Sequence, residues 1–362
     1  MNFSPQILQD RVNRLLDRMH SDAIDSFLVY DRANTLYFTG FPCTNSMAVL
    51  TRDHCVFLTD SRYLQKACQQ IRHMEVRASP QALWKSVRQV VRELRIHRVG
   101  FEGGAVSYTL YRQLVKELGP RRLSEAGAHA AAVRMVKEPG EIAIIAANQR
   151  LNERIFRAAL RDTAVGDSEA SISRRIRNAM TDRGAEESFP SIIASGPNSS
   201  MPHAVPGPRR LRRGDFLLFD MGVRRNHYHS DMTRMAVAGR PTARHREIYR
   251  IVLEAQQRGL KKIRPGITGA EVDAVVRNHI MDHGYLDYFQ HGTGHGVGLE
   301  IHEAPALNPA SRDILAEGMV VTVEPGIYIP GFGGVRIEDL VVVTRRGCKN
   351  LTTASKSLRV VG

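Results

Sequence analysis

In the C-terminal half of the chain one pattern of residues occurs twice. Gly166 recurs as Gly266, Arg177 as Arg277, Asn178 as Asn278, Asp182 as Asp282, Gly184 as Gly284 and Phe189 as Phe289. Ile172, Ile176 and Met180 align with Val272, Val276 and Ile280, apolar positions at helical spacing. The second copy carries Thr268 and Glu271 at capping-box spacing, and Gly284 where a helix would end. Each copy reads as a pair of helices, 141–161 with 168–183 and 244–263 with 269–283, leading into strand-like sequence. Two related halves must pack on each other, so groups they carry in common meet between them.

What they carry is acid. Residues 216–223 and 227–238 read as two strands of a hairpin, and so do 320–328 and 335–343. In the first, a two-residue loop at Arg225-Asn226 sets Asp220 opposite Asp231. In the second, a turn centred on Gly331 pairs Ile329 with Gly333 and sets Glu324 opposite Glu338. Opposite residues share a face with Cβ atoms about 4.5–5.5 Å apart, where like charges repel. An unpaired carboxylate in an apolar strand is also costly. Two such pairs call for something positive between them, and they argue against unrelated surface acids. Pro325, next to Glu324, marks an edge or a bulge in the second hairpin.

Histidines gather in the same stretch. His291-Gly292-Thr293-Gly294-His295-Gly296 is a glycine-rich loop whose backbone can approach a site closely, and His302 follows. His295 is the best placed nitrogen ligand. Four carboxylates and one imidazole suit manganese, cobalt or iron better than a structural zinc. His203 lies in Met201-Pro202-His203-Ala204-Val205-Pro206, after a loop rich in glycine and serine. By itself it would count as structural.

The first part of the chain alternates strands (25–31, 44–51, 55–60, 74–79, 98–102) with helices (5–19, 61–72, 81–96, 107–118), as in a layered α/β domain. It shows no catalytic constellation, and Asp60 or Ser61 reads as a helix cap. The boundary falls near Val136-Lys137-Glu138-Pro139-Gly140, giving domains over 1–136 and 137–362. The length of 362 residues allows each a core. No apolar run is long enough to cross a membrane, and the N-terminus lacks a signal-peptide layout. Cys43, Cys55, Cys68 and Cys348 fall at no metal or redox spacing, which is the usage of a reducing cytosol. The net charge of +14 is spread along the chain without aromatic interleaving, so it reads as a solvated basic surface and not as a nucleic-acid footprint.

With these residues in hand, a resemblance is plain. Phe219-Asp220-Met221-Gly222, Ser230-Asp231-Met232-Thr233-Arg234, His291 to His295, His302-Glu303, Glu324-Pro325-Gly326 and Gly334 to Asp339 resemble the creatinase/prolidase/methionine-aminopeptidase family across essentially the whole chain. The resemblance implies an α/β creatinase-like N-terminal domain and an α+β "pita-bread" C-terminal domain with an internal pseudo-twofold repeat. It implies two divalent ions per chain, with manganese or cobalt first and iron or zinc as alternatives. The family's five ligands match Asp220, Asp231, His295, Glu324 and Glu338; creatinase itself lacks them. It implies a peptidase that releases an N-terminal residue from proline, as a dipeptidase or as an aminopeptidase. Glu324 would double as proton shuttle, His302 would stabilise the tetrahedral intermediate and His203 would bind near the scissile bond. His291 and Arg336 would lie toward the C-terminal side of the substrate, although Arg336 also reads as a structural salt bridge. Family members are commonly homodimers in which the N-terminal domain helps to close the neighbouring site. Two other readings stand beside this one: an aminopeptidase of broader or Met-Xaa specificity, and a non-catalytic pita-bread protein that binds RNA or a partner through its basic surface.

Overall fold

The computed structural model describes residues 3–362. One unit ends at Arg134 and the other covers Met135–Gly362. The first is a six-stranded mixed sheet in the order Glu75–Ala78, Val56–Thr59, Ser46–Leu50, Ser26–Val29, Val99–Phe101, Leu123–Glu125. The central strands are continuous apolar runs, Phe27-Leu28-Val29 among them, because helices cover them. Asp60 caps the Ser61–Gln70 helix by accepting a 2.9 Å hydrogen bond from the Arg62 amide. The α-helices Arg32–Thr39 and Gly127–Met135 and the strand Leu123–Glu125 had no counterpart in the sequence reading. In the first helix every side chain from Asn34 to Thr39 is buried, so no polar face marks a helical period. The second is a run of alanines with little contrast between its faces.

In the second unit the repeat is three-dimensional. The helices Pro139–Arg161 and Glu169–Thr181 pack together, as do Ala243–Lys262 and Gly269–Asp282. Gly166 donates to the Leu211 carbonyl at 2.8 Å, and its counterpart Gly266 donates to that of Leu315 at 2.9 Å. Thr268 and Glu271 form the capping box, and Gly184 and Gly284 follow their helices at φ 64° and 76°.

Between the helix pairs runs a four-stranded sheet, ordered Arg359–Val361, Met232–Ala238, Phe216–Met221, Ile192–Ser195. Its Phe216–Met221 strand is buried on both sides. Leu217, Phe219 and Met221 meet Ile172, Ile176 and Met180 of the first helix pair. Phe216 and Leu218 meet Ile248, Val276 and Ile280 of the second. Each such side chain contributes about 1.5–3 kcal/mol by leaving water. Asp220 falls at an even position in this run, on the side of Phe216 and Leu218.

The hairpins depart from expectation in one respect each. Asp220 lies opposite Thr233, not opposite Asp231. Arg225 pairs with Tyr228, so the two-residue loop is Asn226-His227, both with left-handed backbone at φ 51° and 69°. That is the geometry of a type I′ turn. Moving the turn by one residue shifts the register by two, which leaves Asp231 on the face of Asp220. In the second hairpin Ile329 pairs with Gly333 and Gly326 with Arg336, as the turn at Gly331 requires. Val323 with Asp339 continues the same register, so Glu324 does stand opposite Glu338. The ladder breaks at that point, however. Val320–Val323 and Asp339–Thr344 belong to a five-stranded sheet, whereas Gly326–Ile329 and Gly333–Arg336 form a separate ribbon. Pro325 has no amide to donate, and the Glu338 amide turns instead to the carbonyl of Thr233 in the first hairpin, at 3.2 Å.

Candidate metal centre and active site

All five expected ligands sit where regular pairing begins or ends. Asp220 is one residue from the end of its strand, and Asp231 immediately precedes Met232–Ala238. Glu324 and Glu338 occupy the break in the second hairpin, and His295 is the middle of the short strand Gly294–Gly296. Thr233 joins the hairpins: its hydroxyl donates to Glu338 Oε2 at 2.8 Å and accepts from Arg336 Nε at 3.1 Å. His295 Nε2 lies 3.1 Å from Glu324 Oε1 and 3.7 Å from Asp231 Oδ2.

The glycines of the loop allow close approach to neighbouring strands, and Gly292 and Gly294 also line the cavity. A Cβ on Gly294 would collide with the Thr322 carbonyl, and one on Gly296 with that of Ala304. The loop is fixed from the Gly269–Asp282 helix. Asp273 Oδ1 accepts from the Thr293 amide at 3.1 Å and hydroxyl at 2.9 Å, while Arg277 donates to the His291 carbonyl at 2.8 Å.

The electrostatics are those of a site built for cations. Asp220, Asp231 and Glu338 are 7%, 4% and 2% exposed, and Asp220 Oδ1, Asp231 Oδ1 and Glu338 Oε1 have no hydrogen-bond partner among the described residues. Burial, reinforced by the other carboxylates, holds Asp231 and Glu338 well above the usual carboxylate range. Asp220 is raised by burial too, against the pull of the Arg336 guanidinium, with which it is ion-paired. Glu324 behaves oppositely. Burial would raise it, but the hydrogen bond and charge of His295 bring it to about 2, and Glu324 in turn raises His295 against the effect of its burial. Orphaned carboxylate oxygens, mutual repulsion and one imidazole fit a divalent ion. Ligand atoms of Asp231, His295 and Glu338 lie within 4.8 Å of one another.

The remaining expected residues line the same cavity of about 540 Å³, namely His203, His291, His302 and Arg336. The His302 ring stands edge-on to His295 with centroids 4.4 Å apart. His291 Nε2 and Arg336 Nη1 both reach the hydroxyl of Tyr328, at 2.8 and 2.7 Å. Tyr328, Thr233 and Gln149, whose side chain accepts from the Asp231 amide at 3.2 Å, were not anticipated. Thr233 was in reach of sequence reasoning, since the correct turn at Asn226-His227 puts it opposite Asp220.

Residues 143–345 match the model of metallopeptidase family M24, and residues 11–136 match the creatinase/prolidase N-terminal domain. The chain belongs to metallopeptidase family M24. An uncharacterized peptidase of Bacillus subtilis (strain 168), YqhT, is 38% identical over 93% of this chain and 96% of its own length. The solved structure of an Xaa-Pro dipeptidase from Bacillus anthracis has a TM-score of 0.94 at 36% identity, covering 98% of this chain and 100% of that one. The X-Pro aminopeptidase from Thermotoga maritima MSB8 has a TM-score of 0.87 at 35% identity, covering 95% and 100%. The fold is therefore the expected one, a creatinase-type N-terminal domain followed by the pita-bread domain of an M24 hydrolase.

Proposed function

We propose that this metallopeptidase hydrolyses the bond between an N-terminal residue and proline. One observation carries the reading: four carboxylates and His295 converge on a cavity that three further histidines line, and three of the acids keep a buried oxygen without a partner among the described residues. Asp220, Asp231, His295, Glu324 and Glu338 would hold two divalent ions, which supply hydroxide at neutral pH and polarise the scissile carbonyl. The oxygen-rich set favours manganese or cobalt. Glu324, kept ionised by His295, accepts the proton of the attacking water and passes it to the proline nitrogen. Partial burial, with His295 close by, keeps His302 neutral, so one ring N–H can donate to the carbonyl oxygen as charge develops there. His203 orients the scissile bond from the cavity wall. Proline brings no amide hydrogen at that bond, and this set of residues needs none.

His291 and Arg336 are the proposed contacts toward the C-terminal side of the substrate. Arg336 is committed to Asp220, Tyr328 and Thr233 and is 4% exposed. That favours a second reading, in which Arg336 supports the ligands and the enzyme acts as an aminopeptidase on longer Xaa-Pro peptides. Enzyme loaded with manganese or cobalt should be given Xaa-Pro, Xaa-Pro-Xaa and Met-Xaa peptides, with products identified. A preference for the dipeptide that Arg336→Ala erases supports the clamp; equal loss on both makes Arg336 structural. Release of an N-terminal residue from neither prolyl substrate overturns the function, and a chain that retains no stoichiometric metal would be a binding protein.

The catalytic unit is taken as residues 137–362, with 1–136 as the accessory domain. We further propose a homodimer acting in the cytosol. The dimer rests on the family resemblance. The free thiols of Cys43, Cys55, Cys68 and Cys348 fit a reducing compartment. No helix among the described residues is long and apolar enough to cross a membrane.

A further inference from the structure

Away from the cavity, the second helix pair carries a group of donors that the peptidase reaction does not use. His279 lies in the Gly269–Asp282 helix, His283 is the residue that caps its C-terminus, and Glu254 belongs to the adjoining Ala243–Lys262 helix. One ligand atom from each lies within 4.8 Å of the others. The two imidazoles are 4.5 Å apart between centroids. His283 Nδ1 donates to the His279 carbonyl at 2.8 Å, which leaves the lone pair on Nε2. His279 is 5% exposed, and its Nε2 has no hydrogen bond among the described residues although Glu254 Oε2 is only 3.4 Å away. A buried nitrogen in that condition costs free energy unless something satisfies it. Arg250 holds the other oxygen of Glu254 at 3.0 Å, so Oε2 is the one left to bind.

We propose that Glu254, His279 and His283 form a second metal site, separate from the catalytic centre, for a divalent ion of the zinc class. Two imidazoles and a carboxylate, with water in the fourth position, are a donor set that zinc accepts. Magnesium and calcium prefer oxygen alone. His279 is held below the ordinary imidazole value by burial, then by Arg258 and His283, so it is neutral near pH 7, the form that ligates. The other charged neighbours are Arg250, which competes for Glu254, and Asp282, which favours a cation. None of the three ligands lines the catalytic cavity. A bound ion would tie the end of one helix to its partner.

The test uses the full-length enzyme with manganese in its catalytic centre. Zinc is titrated against a chromophoric chelator for the parent, for His283→Ala and for Glu254→Gln, with released manganese measured in parallel to account for exchange at the centre. The parent should take up about one zinc per chain more than His283→Ala. Losing an outer-shell partner already costs about 10–100-fold in affinity, so Glu254→Gln should weaken this site at least tenfold. Zinc should also raise the melting temperature of the parent more than that of His283→Ala. Because His283 is exposed, His283→Ala should keep its fold, and unchanged manganese-dependent peptidase activity checks this. Equal zinc uptake and equal affinity in parent and His283→Ala overturn the proposal.

Discussion

Asp231 and Glu338 are driven toward the protonated form, by burial first and by neighbouring carboxylates second. A carboxyl whose pKa is raised in the folded chain binds a proton there that it gives up on unfolding. Its stabilising contribution is full below the ordinary carboxylate range and is lost as pH rises through the raised value. The metal-free protein should therefore lose melting temperature from this source as pH rises from the ordinary carboxylate range through the raised value. Asp231→Asn should lack that component. Manganese should recover most at the upper end, because ion and proton compete for the same oxygens. Calorimetry on parent and Asp231→Asn, with and without chelator, measures it; identical pH profiles for the two metal-free proteins would contradict it. Glu324 has the opposite sign. Lowered to about 2, it loses its contribution only as pH falls from the ordinary range toward that value. Glu324→Gln keeps the shape but removes the base. It should keep the circular-dichroism spectrum, bind metal more weakly and turn over about 10²–10⁴-fold more slowly. Parent-like turnover would remove Glu324 from the proton path. At this scale much was legible: all nine residues picked from the sequence line one cavity. Tyr328 was not, because a tyrosine in a strand looks like any other packed aromatic until its hydroxyl is seen between His291 and Arg336.

Among elements, legibility followed turn chemistry. The second hairpin was read in its true register because Gly331, at φ 77°, leaves one place for the turn. The first was misread by two residues because Asn226 and His227 adopt left-handed backbone without a glycine to announce it. His227→Val puts a β-branched residue at that position. It should cost about 1–3 kcal/mol in denaturant unfolding, and no cost would mean that the turn relaxes. The helix Gly269–Asp282 has a second task that its amphipathic pattern conceals, since Asp273 and Arg277 hold the loop that presents His295. Asp273→Ala removes an acceptor from Thr293 and leaves Arg277 without its 2.7 Å partner. Asp273 is buried but Arg277 is 22% exposed, so the cost should fall below the about 3–5 kcal/mol of breaking a fully buried pair. Metal should pass faster to a chelator from Asp273→Ala than from the parent, with Asp273→Asn in between. An unchanged release rate would show that the loop holds itself.

For the whole molecule, the order of domains was legible because helices and strands alternate in the first part and the pattern repeats in the second. The helix Arg32–Thr39 was not, since it is buried almost throughout and has no polar face to betray it. Assembly is the property least written in a single chain. A polypeptide of 40.5 kDa should scatter light as a homodimer at micromolar concentration, and a monomer mass would contradict that. Thr233 and Glu338 belong to different halves of the catalytic unit, and each gives the other a hydrogen bond, amide to carbonyl and hydroxyl to carboxylate. Neither half can swing away without breaking both. In time instead of space, the Glu338 amide proton should be among the last in the chain to exchange for deuterium, because only a global opening exposes it. Manganese should slow that exchange further while leaving the N-terminal unit to keep its own rates, so that one amide reports how long the two halves stay shut.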